Sequence, residues 1–222
     1  MTQINFANEI FEPQLCGALF WPTEKMLIVS DLHLEKGSSF SKFKQFLPPY
    51  DTSETLLKLS KTCDDVSPET ILFLGDVYHD THSLNRMKPK DRNLWNEILE
   101  GYKIIWVEGN HDPGQAPSNI EAYEEFTHKG ITFRHIANET DDQPEMSGHY
   151  HPVLKFFHKR QKLRRPCFVM NESKIILPSY GTFTGGLDIT DKAFQNIVND
   201  KTQFFVVTRK KILTMDMNKK AA

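Results

Sequence analysis

The sequence predicts an α/β fold in which two β-sheets pack face to face between outer helices, and three observations carry that prediction. Short apolar runs rich in Ile, Val, Leu and Phe end abruptly in polar or glycine residues. Segments of helical period separate the first three of these runs, and the second half of the chain is strand-rich. Layering helix, sheet, sheet and helix buries both faces of such strands without a second core.

Residues 26–29 (MLIV) run into Ser30 and Asp31, residues 71–74 (ILFL) into Gly75 and Asp76, and residues 104–107 (IIWV) into Glu108, Gly109 and Asn110. Each run is apolar on both sides, as buried central strands are. Leu56, Leu59 and Cys63 share one face of a helix opening near Asp51 or Ser53. Leu94, Trp95, Ile98 and Leu99 stripe a second helix that Gly101 ends. Further on, residues 131–134 lead to His135, and 167–170, 175–177, 204–207 and 211–213 read as strands. Residues 171–173 (NES) predict a hairpin turn, while Phe194, Ile197 and Val198 predict one more helix after Thr190. Residues 113–119 and 139–145 read as surface loops.

A length of 222 residues fits one domain spanning 1–222. With 39% hydrophobic and 25% charged residues, the composition excludes the disordered and fibrous classes. The formal net charge of -2 excludes a uniformly basic nucleic-acid binder, not a local basic patch. No run approaches the ~18 consecutive apolar residues of a membrane-spanning helix. The first ten residues also lack the basic-then-apolar order of an export signal. A cytoplasmic location without a membrane partner is expected. Cys16, Cys63 and Cys167 are scattered without a CxxC, so buried free thiols are expected rather than a disulfide framework or a zinc–thiolate site.

The polar residues at or near the strand ends form an ordered set: Asp31-x-His33, Gly75-Asp76, Gly109-Asn110-His111-Asp112, a lone His135, and Gly148-His149-x-His151. All are oxygen or imidazole-nitrogen donors, and that mixture suits manganese, iron or zinc better than calcium or magnesium. Residues two apart in extended backbone point the same way. Asp31 with His33, and His149 with His151, are therefore each expected to close on one ion from a strand end.

This set resembles the calcineurin-like metallophosphoesterase superfamily, whose pattern is DxH, GD, GNH(D/E), an isolated His and GHxH. The likeness spans Asp31 to His151 and lacks no element. It implies an α/β four-layer αββα sandwich, two mixed β-sheets flanked by helices, around two divalent metal ions, Mn2+ first, with Fe or Zn as alternatives. Carried over by position, Asp31, His33 and His151 hold one ion and Asn110, His135 and His149 the other, with the Asp76 carboxylate bridging them. For the isolated histidine, His135 ends a strand-like run, whereas its rival His128 sits in a polar turn. The stretches DLHLEKG (31–37), SGHYHP (147–152) and TFTGG (182–186) further resemble a small bacterial group of ligase-associated DNA damage response endonucleases. That likeness implies a phosphodiesterase acting on DNA in repair, with a ligase or helicase as protein partner.

Three residues are candidates for catalysis beyond the ligands. His111 follows Asn110 directly, cannot easily bind the same ion, and is assigned general acid and phosphate stabiliser. His79, three residues after Asp76, either orients His111 or belongs to a solvent-exposed polar loop. Asp112 either supports His111 or caps the following turn. From 155 to 165 the run KFFHKRQKLRR holds Lys155, Lys159, Arg160, Lys162, Arg164 and Arg165 with no acid. Lys159, Arg160, Arg164 and Arg165 are the candidate substrate contacts, a phosphate track with aromatic stacking, unless the run is a solvated loop or hairpin. Residues 179–186 are a second candidate contact, or a turn. The other functions weighed are a small-molecule phosphodiesterase or phosphatase and a non-catalytic scaffold; the complete ligand set speaks against the scaffold.

Overall fold

The computed structural model describes residues 2–40, 50–158 and 160–217, with His158 described by its main chain alone. Lys159, one of the candidate substrate contacts, lies outside the described residues. The chain forms two mixed sheets. The first contains β1 (Ile4–Phe6), β2 (Glu9–Pro13), β3 (Leu19–Trp21), β4 (Met26–Val29), β5 (Thr70–Leu74), β6 (Lys103–Val107) and β7 (Ala122–Tyr123), in that spatial order. Its pairs are antiparallel up to β3–β4 and parallel from β4–β5 onward. The second contains β8 (Glu125–His128), β9 (Ile131–Arg134), β10 (Glu145–Ser147), β11 (Val153–His158), β12 (Gln161–Met170), β13 (Lys174–Ile176), β14 (Gln203–Val207) and β15 (Ile212–Asp216). Its order is β15-β14-β12-β13-β10-β9-β8, with β11 paired to β12.

Alternation along the strands explains the layers. Ile28, Leu72, Leu74 and Val107 face inward and meet Phe133, Met146, Phe168, Ile175 and Phe205 of the second sheet. Leu27, Val29, Ile71, Phe73 and Trp106 point the other way and pack under α2 (Asp51–Val66) and α4 (Pro89–Gly101) through Leu56, Leu59, Cys63, Trp95 and Ile98. Both helices carry the signals that start or stop a helix. Asp51 and Glu54 put acids in the first turn of α2, where the helix dipole favours them. Ser67 ends α2 in the left-handed region at φ +49° with its amide on the Cys63 carbonyl. Pro89 opens α4. Two short helices, α1 (Lys36–Phe40) and α3 (Ser83–Arg86), flank the loops after β4 and β5.

The outer face of the second sheet departs from expectation. Phe194 and Ile197 do cover Cys167, Val169, Phe204 and Val206, but the segment is a 3-10 turn over Lys192–Phe194 instead of a full helix. Side chains compete with helical hydrogen bonding at both ends. Asp191 accepts from the Ala193 amide, and Asn199 accepts from the Lys201 amide while its own amide goes to Thr202. The fourth layer is therefore thin. Cys63 and Cys167 are buried free thiols as expected, whereas Cys16 is half-buried. No helix among the described residues is long and apolar enough to cross a membrane.

For the site, the consequence of this topology is convergence. Parallel β4, β5 and β6 deliver Ser30–Asp31, Gly75–Asp76 and Gly109–Asn110 to one edge of the first sheet. Parallel β9 and β10 deliver His135 and Gly148–His149 from the second. Crevices beyond the carboxyl ends of parallel strands are where α/β folds place their ligands.

Candidate metal centre

The two buried carboxylates come first. Asp31 is fully buried and Asp76 nearly so, and burial of a charged carboxylate is costly unless a cation or hydrogen bonds compensate it. Asp31 Oδ2 accepts the Ser30 hydroxyl at 2.5 Å and the His149 amide at 3.0 Å, which leaves Oδ1 turned to His151 Nε2 at 3.0 Å. Asp76 Oδ1 accepts the His111 amide at 2.9 Å. Its Oδ2 lies 3.3 Å from His135 Nε2, 3.7 Å from His33 Nε2 and 4.0 Å from His111 Nε2.

The candidate ligands fall into two adjoining groups, and His33 also groups with His79 and His111. Asp31, His33 and His151 present donor atoms within 4.8 Å of one another, and so do Asp76, His135 and His149. Asn110 Oδ1 joins the second group, 3.1 Å from His135 Nε2. His33 Nε2 and His151 Nε2 face each other at 3.4 Å, and His149 Nδ1 and His135 Nε2 at 3.3 Å. Burial pushes the His33 imidazole down to about 3, keeping it neutral with a lone pair to offer. Against burial, which opposes it, contact with Asp76 and the charge of Asp31 raise His135 to about 9. Burial works against ionisation of Asp76 and Asp31 too, yet neighbouring histidines hold both carboxyls below their ordinary range. Two anionic carboxylates are thus served by a proton on His135. A divalent cation in each group serves them equally, and carboxylate, amide oxygen and neutral imidazole form the donor set that manganese, iron or zinc accepts. The residues fit a binuclear metal site.

Backbone strain builds the arrangement, and the strand ends are not extended as their spacing predicts. Asp31 and His33 sit at φ +56° and +45°, Asp76 at +48°, His149 and His151 at +66° and +47°. Left-handed conformations in non-glycine residues cost about 1–3 kcal/mol each and persist where surrounding structure enforces them, often at functional sites. Because the backbone is not extended, His149 and His151 do not close on one point. They diverge into different groups.

The enforcing contacts are main-chain clamps that sequence reasoning missed. The Tyr180 and Gly181 amides donate to the Ser30 and Asp31 carbonyls at 2.8 and 3.0 Å. Helix α2 holds that segment from below: Thr55 Oγ1 accepts the Thr182 amide at 3.0 Å, and the Lys58 ammonium donates to the Tyr180 carbonyl. The 179–186 stretch thereby supports the first motif, a role its hydroxyls and glycines alone did not reveal. A Cβ on Gly181 would meet the Leu32 carbonyl oxygen at 2.1 Å, and one on Gly148 would meet Ser30 Oγ at 1.7 Å and Asp31 Oδ2 at 2.5 Å. Gly148→Ala is therefore expected to displace Asp31 and lower stability by about 1–3 kcal/mol, as overpacking does. Paired chemical denaturation and metal-content measurements check this.

The remaining site residues divide. His135 joins the centre, whereas His128 bonds Glu24 at 2.6 Å, away from it. His111 is 42% exposed at the side chain, and its Nδ1 bonds the His79 carbonyl at 2.9 Å, aiming Nε2 at Asp76. The His79 ring stacks on the His111 ring at 5.5 Å and 30°, so His79 steadies His111 through its carbonyl and its ring face. Asp112 makes its contact one residue before His79. Fully buried, it accepts the Tyr78 amide at 3.0 Å and so anchors the loop after Asp76; burial first, with Asp76 nearby, raises its carboxyl to about 6.

The basic run forms the β11–β12 hairpin. Lys155 pairs with Arg164, Phe157 with Lys162 and Leu154 with Arg165. Lys155, Phe157, Lys162 and Arg164 thus share one face while Arg165 lies on the other, so Arg164 and Arg165 do not form one track. Arg160 is exposed at the turn with φ +65°. The Arg164 guanidinium donates to the Gly186 carbonyl at 2.5 Å, and a Cβ on Gly186 would meet the His151 carbonyl oxygen at 2.2 Å, which puts the hairpin base beside the centre.

A family model described as calcineurin-like phosphoesterase matches residues 24–191. Among solved structures, the Pseudomonas putida nuclease MPE is similar with a TM-score of 0.73 and 22% identity, covering 96% of this chain and 99% of that one. Yfce, a phosphoesterase from E. coli, is similar at a TM-score of 0.44 and 14% identity, covering 87% of this chain and 99% of that one. These likenesses are of fold. A search of curated protein sequences returned no match.

Proposed function

Because the chain belongs to the calcineurin-like phosphoesterases, we propose that it is a two-metal phosphodiesterase that cleaves DNA during repair, alongside a ligase or helicase, with manganese as its metal. The observation that carries the reading is Asp76, whose carboxylate lies between two groups of buried and half-buried donors at the carboxyl edge of both sheets. Asp31, His33 and His151 would hold one ion and Asn110, His135 and His149 the other, with Asp76 placed to serve both. When bound, the metal pair polarises the phosphoryl oxygens, lowers the pKa of a water and stabilises an in-line displacement. His111, oriented through Nδ1 by the His79 carbonyl, carries the proton on Nε2 for the departing alkoxide. Cys63 and Cys167 have no nucleophilic part, since burial raises both thiols, Cys63 to about 11.

Two observations support nucleic acid as substrate. A hairpin with a basic face stands beside His151, and Phe157 on that face is 68% exposed, available for stacking. The similar Pseudomonas putida structure is a nuclease. Purified protein with manganese is expected to hydrolyse bis-p-nitrophenyl phosphate and to cleave oligodeoxynucleotides; turnover of the first without the second points to a small-molecule phosphodiesterase instead. Lys162→Glu with Arg164→Glu should weaken oligonucleotide binding and flatten its logarithmic salt dependence by about 1.4, near 0.7 per lost phosphate contact. Arg165→Glu, on the opposite face, should do so less. Equal effects of the two variants in a fluorescence titration argue against the hairpin face as the phosphate track.

A further inference from the structure

Helix α1 begins three residues after His33, and the Lys36 amide hydrogen-bonds back to the His33 carbonyl at 3.2 Å. Lys36 and Phe40 are four residues apart and share a helix face. That face borders the candidate centre: the Phe40 ring lies 5.9 Å from the His79 ring at 31°, and the His79 ring stacks in turn on His111. Lys36 is half-buried there. Burial pushes its pKa down, with Asp51 and Asp31 opposing the shift, and its charge acts on both His33 and His79. Yet among the described residues no carboxylate lies within ion-pair distance of it. Asp51, the nearest in influence, gives its Oδ2 to the Gly37 amide at 2.7 Å. A half-buried ammonium on the helix face that borders the candidate centre, with no carboxylate in ion-pair contact among the described residues, is complementary to an anion of the substrate.

We propose that Lys36 is a substrate-binding residue that holds the phosphate next to the scissile one in a polynucleotide, with Phe40 forming the wall against which the intervening nucleoside rests. This assignment rests on the nuclease reading above and adds to it a defined subsite on the α1 side of the centre. A substrate with a single phosphate has nothing for Lys36 to hold. One with two phosphates in sequence does.

The test compares d(TpTpT), which carries two phosphodiesters, with bis-p-nitrophenyl phosphate, which carries one. Lys36→Met is expected to lower the ratio of kcat/KM for the trinucleotide over the small diester about tenfold, the loss of one charge-assisted contact, chiefly through KM. Lys36→Arg should recover most of it. In metal-free protein, the salt slope of oligothymidylate binding should flatten by about 0.7 with Lys36→Met. Thermal melting verifies the fold, and Lys36→Gln serves as the second neutral variant. A ratio within twofold of wild type overturns the proposal, whether both substrates suffer together, as from lost support of Asp31, or neither does. Wild-type protein that turns over the small diester but not d(TpTpT) overturns the nuclease reading and this subsite with it, an outcome distinct from the first.

Discussion

Asp76→Ala should abolish phosphodiester hydrolysis while leaving the two sheets folded. Among the described residues, its Oδ2 is the single carboxylate oxygen within 4.0 Å of histidines from both groups, His135 at 3.3 Å and His33 at 3.7 Å. Its other oxygen fixes the His111 amide. On the proposed assignment, removing it would take a shared anionic ligand from both ions and loosen the general acid at once. Lewis-acid stabilisation contributes several kcal/mol to such a displacement, and each 1.36 kcal/mol is tenfold in rate, so a loss of about 10³-fold or more in kcat is expected. Metal content, measured by plasma emission, should fall below two ions per chain, and Asn110→Ala should act in the same direction. Thermal melting of the metal-free protein should still show one cooperative transition, lowered by the loss of the buried Asp76–His135 pair. Turnover within tenfold of wild type in both variants contradicts the shared-ligand assignment.

His111→Ala should separate proton transfer from metal binding. The His111 ring stands over the centre, 4.0 Å from Asp76, with Nδ1 committed to the His79 carbonyl. A positioned general acid contributes about 10²–10⁴-fold. That loss is expected for DNA, whose leaving group is an alkoxide that must be protonated. For a p-nitrophenyl ester, whose leaving group departs as a stable anion, the loss should be much smaller. Metal content should stay at two. Equal losses on both substrates indicate that His111 binds phosphate or shapes the centre without donating a proton.

Much of the fold was legible because buried strands advertise themselves. The runs that became β4, β5 and β6 are apolar on every position and stop at glycine or a polar residue. β1 and β2 were not legible, since their hairpin turns on Ala7 and Asn8 at φ +50° and +63° without the glycine that usually marks such a turn. β8 escaped for another reason: Glu125–His128 alternates exposed with half-buried positions and looks like a polar loop. At the site, residue types and order were legible, while geometry was not. Period-two reasoning assumes extended backbone; Asp31 and His33 still meet in one group, but left-handed backbone at 149 and 151 sends those two side chains to different groups. The role of Asp112 was hidden because its partner, the Tyr78 amide, is a main-chain group 34 positions away. The basic run likewise reads as one stretch of charge until strand register divides it between two faces.

Anomalous diffraction from crystals grown with manganese tests most directly whether two ions share Asp76. Two peaks per chain are expected, one ligated by Asp31, His33 and His151 and one by Asn110, His135 and His149, with the Asp76 carboxylate touching both. A single peak, or manganese bound away from Asp76, contradicts that sharing.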